Sequence, residues 1–227
     1  MTSDSPVVLL AYDGVAADEA GALVEILTRS GIEVIIASVE SHPITSYHGR
    51  VVPECSAADL GDCGALVIPG GMGVRAAAEN PELLSAIRRL AMSAAWLGAT
   101  STGSILLTAA GLARRSRVTT HWLAGDMITE RGVELVDRPF VEHGRLLTAS
   151  GLASTATLSF RLVGALSGTG AEREARARYQ PGSAPDTRSG RRRPWWRTLG
   201  RKQVVTVRHH VDPNGAADLV ILHLEPD

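Results

Sequence analysis

The stretch Trp96-Leu97-Gly98-Ala99-Thr100-Ser101-Thr102-Gly103-Ser104-Ile105-Leu106-Leu107 decides the fold. Trp96–Thr100 reads as a short buried strand, and Gly103–Leu112 as a helix. Almost nothing separates the two. A strand that turns so sharply into a helix exposes the residue at the turn. It also leaves the free N–H groups of the helix N-terminus behind that residue.

The same alternation extends on both sides. Val7–Tyr12 is a continuous apolar run ending at Asp13-Gly14, the pattern of a buried parallel strand. Residues 18–29 place Ala20, Leu23, Val24 and Leu27 on one helical face, and Ser30-Gly31 ends that helix. Glu33–Val39 and Ala65–Ile68 read as two further strands, the latter running into Pro69-Gly70-Gly71-Met72-Gly73. Pro81 opens a helix with Leu83, Ile87, Leu90, Ala91 and Ala94 on one face. Residues 133–149 suggest a meander that turns at Glu142-His143-Gly144 and ends with the strand Arg145–Ala149. Ser154–Leu166 then closes the unit as a helix. Alternating strands and helices predict an open, mostly parallel α/β sheet with helices on both faces. Gln203–Val211 and Ala217–Leu224, separated by Asp212-Pro213-Asn214-Gly215, predict a C-terminal β-hairpin.

Composition narrows the function. The chain has 227 residues, 44% of them hydrophobic and 4% aromatic, with a net charge of −1. That is too apolar and too neutral for a disordered or collagenous protein. No apolar run reaches the roughly 18 residues of a membrane span, and Met1–Pro6 lacks the basic and apolar regions of a signal peptide. A soluble cytoplasmic protein without membrane contact is expected. Cys55 and Cys63 form no disulfide framework and read as structural, and no Cys/His spacing suggests zinc. Of the 23 cationic residues one is a lysine, Lys202 in a basic tail, so Schiff-base chemistry is not expected.

The charge is divided. Residues 1–168 carry 12 Arg against 17 Asp and Glu, net −5, and residues 169–227 carry 11 Arg and Lys against 7 Asp and Glu, net +4. Three units follow: an α/β domain over 1–168, a basic Arg/Pro/Gly-rich linker or arm over 169–202, and the hairpin over 203–227. Trp195-Trp196 lies among arginines, a context that suits stacking on nucleic acid. With an acidic core and no helix-turn-helix pattern, a packing or dimer-contact role is the expectation, and nucleic acid is not an expected partner. His209, His210 and His223 read as solvent-facing hairpin residues rather than metal ligands.

Ligands of such sheets bind outside the carboxyl ends of the strands. The elbow at Ser101 arrives there, and so does the loop Pro69–Gly73, whose glycines let backbone N–H groups approach a substrate oxygen. Glu19 lies at the first strand-to-helix junction, and His121 of Thr119-Thr120-His121-Trp122 is a candidate base. Each has a plainer reading. Ser101 suits a tight turn, Glu19 complements a helix dipole, His121 suits a core histidine bonded to backbone, and Gly70-Gly71 suits a turn.

Taken in order, these motifs resemble the ThiJ/PfpI superfamily, which is class I glutamine-amidotransferase-like, and within it the isonitrile-hydratase branch. Gly98–Trp122 resembles the nucleophile region, with Ser-Thr-Gly-Ser, Ala-Ala-Gly-Leu and Arg-Val-Thr-Thr-His-Trp. Pro69–Gly73 resembles the glycine loop, and Arg138–Ala149 the penultimate hairpin. The likeness spans about residues 7–180 and leaves the hairpin of residues 203–224 outside. It implies a flavodoxin-like fold, a homodimer, and a small-molecule substrate or ligand with no cofactor. It also implies a reactive cysteine at the elbow, where this chain has Ser101. The acidic partner falls on Glu19, with Asp18 beside it, and the histidine on His121. Backbone N–H groups of Gly71 and Thr102 are implied as oxyanion donors, beside Gly70. Ala153-Ser154-Thr155-Ala156-Thr157 lacks the acidic residue the family usually carries there.

Serine changes the chemistry. A thiol with a pKa near ~8.5 is ionised by modest electrostatics, but a hydroxyl needs a base in the transition state. Two designs follow: a Ser101–His121–acid arrangement, or Glu19 as general acid/base on a ligand that Ser101 only hydrogen-bonds. Three functions fit: hydration of a small electrophilic carbon, ligand sensing without catalysis, and a repurposed cyclase or dehydratase. The opposite charges of core and tail predict that the tail docks on its own domain or on a second copy. Deleting residues 169–227 is expected to lower the melting temperature or dissociate the oligomer, read by calorimetry and light scattering.

Overall fold

The computed structural model describes residues 5–40, 42–46, 49–129 and 132–179, together with the strands 203–206 and 221–224. In chain order these form β1 (Val7–Ala11), α1 (Ala17–Arg29), β2 (Val34–Ser38), β3 (Ile44–Ser46), β4 (Gly49–Val51), β5 (Cys55–Ser56) and β6 (Ala65–Ile68). There follow α2 (Val74–Ala77), α3 (Pro81–Ser93), β7 (Trp96–Thr100), α4 (Gly103–Ala109), β8 (Arg117–Val118), α5 (Gly125–Thr129) and β9 (Glu134–Leu135). The last elements are β10 (Phe140–His143), β11 (Leu146–Ala149), α6 (Leu152–Ser167), α7 (Thr169–Tyr179), β12 (Gln203–Thr206) and β13 (Ile221–Leu224).

Seven strands form one sheet in the order β10-β11-β7-β6-β1-β2-β5, parallel except at the β10–β11 edge. The five central strands reproduce the 2-1-3-4-5 order of a flavodoxin-like sheet, whose direction of winding reverses between β1 and β6. β1 and β6 are buried along their whole length, which accounts for their unbroken apolar runs. Helices α1 and α6 pack together on one face, and α3 and α4 on the other. Among the described residues no helix is long and apolar enough to cross a membrane.

Several expectations need correction. Residues 133–149 are not a meander. β9 pairs in parallel with β8 in a separate ladder, and β10 turns into β11 at Gly144-Arg145. Pro139, which has no N–H to give a ladder, separates the two pieces. The helix after the elbow stops at Ala109, short of Leu112. Part of the expected linker is helical, because Thr169–Tyr179 form α7 against α6. Ala175 is buried, the Phe160 and Tyr179 rings lie 6.0 Å apart, and Arg176 and Arg178 pair with Glu172 and Glu174 one turn earlier. β12 and β13 pair antiparallel as expected, Gln203 facing Leu224. The Asn214-Gly215 turn, Trp195-Trp196, His209 and His210 lie outside the described residues.

The arginine bias has a structural use. Arg145 donates to Ala91 O and Ala94 O at the end of α3 (3.1 and 2.6 Å). Arg88 donates to Ala110 O just past α4, and Arg89 to Leu60 O and Ala57 O. One planar guanidinium satisfies two separated carbonyls, which suits arginine better than lysine.

Close backbone approach fixes the elbow. A Cβ at Gly103 would overlap the carbonyl oxygens of Ile68 and Pro69, both main-chain atoms of β6 and its loop. Gly103→Ala is expected to cost about 1–3 kcal/mol in urea unfolding.

Candidate functional site

Three strand ends meet beside the point where the sheet reverses. β1 leads through Tyr12 to α1, which carries Glu19. β6 leads to Pro69-Gly70-Gly71. β7 leads through Thr100 to Ser101. Glu19 is only 6% exposed, and its Oε2 accepts hydrogen bonds from the Gly70 N–H (3.0 Å) and the Thr100 hydroxyl (2.6 Å). One carboxyl oxygen thus ties together the ends of all three.

Ser101 has φ of 51°, one of two non-glycine residues with positive φ among those described. Such a left-handed turn costs about 1–3 kcal/mol and persists only where its surroundings impose it. Its N–H donates to Ala149 O of β11 (2.7 Å), and its carbonyl accepts from the hydroxyls of Thr120 and Ser104 (both 3.1 Å). Gly70 lies against it so closely that an added Cβ would sit 2.5 Å from Ser101 Cβ. The hydroxyl lies near enough to Glu19 to favour its charged form.

Burial dominates the electrostatics of Glu19. It raises the carboxyl above its ordinary value, while the donors from Thr100, Gly70 and Ser101 only partly oppose that and the neighbouring Asp18 charge adds to it. Tyr12 is fully buried, and its hydroxyl donates to Pro69 O (3.1 Å). Burial first, and the nearby Glu19 charge second, push that phenol far up, so it stays protonated.

The sequence-predicted residues divide. Glu19, Gly70 and Ser101 come together. Asp18 instead accepts its neighbour's backbone N–H, at Glu19 (2.9 Å), so Glu19 is the carboxylate at the elbow. The Gly71 N–H does not stand free as the expected oxyanion donor. It donates to Thr102 Oγ1 (2.9 Å), whose hydroxyl returns a bond to Gly71 O (3.1 Å). The Thr102 N–H makes no hydrogen bond among the described residues. His121 begins the 3₁₀ turn Trp122–Ala124, and its Nδ1 accepts the Leu123 N–H (3.3 Å). Among the described residues it makes no hydrogen bond to Ser101 or to an acid. Sequence reasoning missed Tyr12, Thr100 and Thr120. The available signal was polar side chains at the buried ends of apolar strands. No group of three His, Cys, Asp or Glu able to hold a metal lies among the described residues. Cys63 is buried with its Sγ against Leu90 O (3.6 Å), and Cys55 lies in β5.

A flavodoxin-like sheet with a strained elbow and a buried acid at its reversal point defines a class of α/β proteins. Residues 5–165 match the model of the DJ-1/PfpI family, and the chain belongs to it. It is 29% identical over 147 residues to a glutathione-independent glyoxalase, DJR-1.2, of Caenorhabditis elegans, covering 63% of this chain and 78% of that one. It is 30% identical over 149 residues to an isonitrile hydratase of Pseudomonas putida, covering 65% of each. Among solved structures, a ThiJ/PfpI family protein from Pseudomonas syringae superposes with a TM-score of 0.73 at 23% identity, covering 83% of this chain and 79% of that one.

The raised carboxyl links to stability with a definite sign. The fold holds the Glu19 proton more tightly than the unfolded chain does. Its stabilising contribution is therefore complete below pH 4.5 and is lost as pH rises through the higher folded value. Glu19→Gln keeps an acceptor for Gly70 and Thr100 but cannot ionise, so its stability is expected to lack that decline. Glu19→Ala strands both donors and is expected to lose about 1–3 kcal/mol. Melting curves from pH 4 to 9 on the three proteins check both outcomes.

Proposed function

We propose that this chain is a small-molecule hydratase that adds water to an electrophilic carbon, with isonitriles as its substrate class. Glu19 is its proton carrier. The observation that carries the reading is a carboxyl whose burial favours the neutral acid, held beside a strained elbow at the sheet's reversal point. The isonitrile hydratase relative supports the choice of substrate.

The chemistry needs no thiolate. Glu19 gives its proton to the terminal carbon of R–N≡C. Water adds to that carbon of the nitrilium, and the Glu19 carboxylate takes back a proton from the water. The imidic acid tautomerises to the formamide, so the sum is R–NC plus water giving R–NH–CHO. Ser101 acts as a hydrogen-bond donor, since Glu19 cannot ionise a hydroxyl and His121 makes no hydrogen bond to it. The free Thr102 N–H is a second donor to the ligand. The exposed Met72, Met92, Trp122 and Leu123 support coverage of part of the surface by a second copy. The proposed hydratase is a cytoplasmic homodimer.

A second reading, ligand binding without turnover, is favoured by one observation: Thr102 already occupies the Gly71 N–H, which leaves one donor fewer for developing charge. With benzyl isonitrile as substrate, formamide production is expected from the wild type. Glu19→Gln is expected to lower it by at least about a hundredfold, and Ser101→Ala by about tenfold. Turnover undiminished in Glu19→Gln overturns the reading. Binding without turnover, in the wild type and in Ser101→Cys alike, establishes the second one.

A further inference from the structure

Thr100 is the last residue of β7, fully buried, one position before the elbow. A threonine there is out of keeping with its strand, since buried Leu97 and Ala99 precede it. A buried hydroxyl must be satisfied, and this one spends its hydrogen on Glu19 Oε2 at 2.6 Å. The Gly70 N–H, just past the end of the adjacent parallel strand β6, reaches the same oxygen at 3.0 Å. Both donors therefore converge on one carboxyl oxygen.

Two donors on one oxygen break the symmetry of the carboxyl. A carbonyl-type oxygen accepts two hydrogen bonds, whereas a protonated hydroxyl oxygen that must also donate accepts them poorly. Oε2 is thereby fixed as an acceptor in both protonation states. We propose that Thr100 is a positioning residue which, together with the Gly70 N–H, holds Glu19 Oε2 as a permanent acceptor and confines the exchangeable proton to Oε1, the oxygen left for the Ser101 hydroxyl and a ligand. This inference deepens the hydratase reading and rests on it for its catalytic meaning. Its geometric content, however, is independent of any turnover.

Other groups near the carboxyl do not serve this purpose. Asp18, on the same helix, carries a like charge and its Oδ1 accepts the Glu19 N–H. Tyr12, following β1, gives its proton to Pro69 O. Ser101, following β7, lies near the carboxyl and is assigned to Oε1 by the proposal. Thr100 is thus the side chain that donates to Oε2, and the Gly70 donor is a main-chain N–H that only proline would remove.

The test is a carbon-13 NMR titration of protein labelled at glutamate Cδ, with the Glu19 resonance assigned by its loss in Glu19→Gln. Thr100→Val keeps the shape and removes the hydroxyl, so the Glu19 titration is expected to move to higher pH. Thr100→Ser restores the donor and is expected to titrate like the wild type. If Thr100→Val does not fold, Thr100→Ala is read in the same way. A Glu19 titration unchanged without the hydroxyl overturns the proposal. Because the readout is the carboxyl itself, absence of isonitrile turnover sinks the hydratase reading and leaves this result standing.

Discussion

The site depends on one buried carboxyl oxygen. Glu19 Oε2 receives the Gly70 N–H and the Thr100 hydroxyl, and so joins α1, the loop after β6 and the end of β7. Burying a carboxyl is costly unless its oxygens are hydrogen-bonded. Here the same bonds that satisfy it also position the glycine loop against the elbow. Gly70 lies in contact with Ser101 because Glu19 holds its nitrogen, and Gly103 lies under the β6 carbonyls because the elbow has no room for a side chain. Around this knot Tyr12 fixes Pro69 and Thr102 fixes Gly71, so three consecutive loop residues are each held by a different side chain.

That arrangement gives Ser101 a coherent place at the elbow. A hydroxyl in the same place stays protonated and can only donate or accept hydrogen bonds unless a base reaches it. His121 caps its own 3₁₀ turn, with Nδ1 accepting the Leu123 N–H. The carboxyl of Glu19, raised by burial, is the shifted acid beside the elbow, and in the proposed hydratase it carries the proton.

The frame of the fold was legible because its strands are buried on both faces. Unbroken runs such as Val7–Ala11 and Trp96–Thr100 have few other readings, and the two-residue turn into Gly103 locates the elbow. What the sequence hid was mostly tertiary. The pairing of β9 with β8 rather than β10 depends on contacts far apart in the chain. Helix α7 looked like a linker because it is polar and rich in arginine. One buried small residue, Ala175, and the ring of Tyr179 hold it against the core. Glu19 and Ser101 were found from motif order. Thr100 and Tyr12 were not, because a polar residue at a strand end shows its purpose only when its partner, some eighty residues away for Thr100, is seen beside it.

The protonation of Glu19 is the central property of the site. Infrared difference spectra between the wild type and Glu19→Gln, recorded across an acid-to-neutral pH series, isolate that carboxyl. A carboxylic-acid C=O stretch, absent from Glu19→Gln, that persists to higher pH than in an ordinary glutamate is the predicted result. Loss of that stretch at or below the ordinary glutamate range would contradict it.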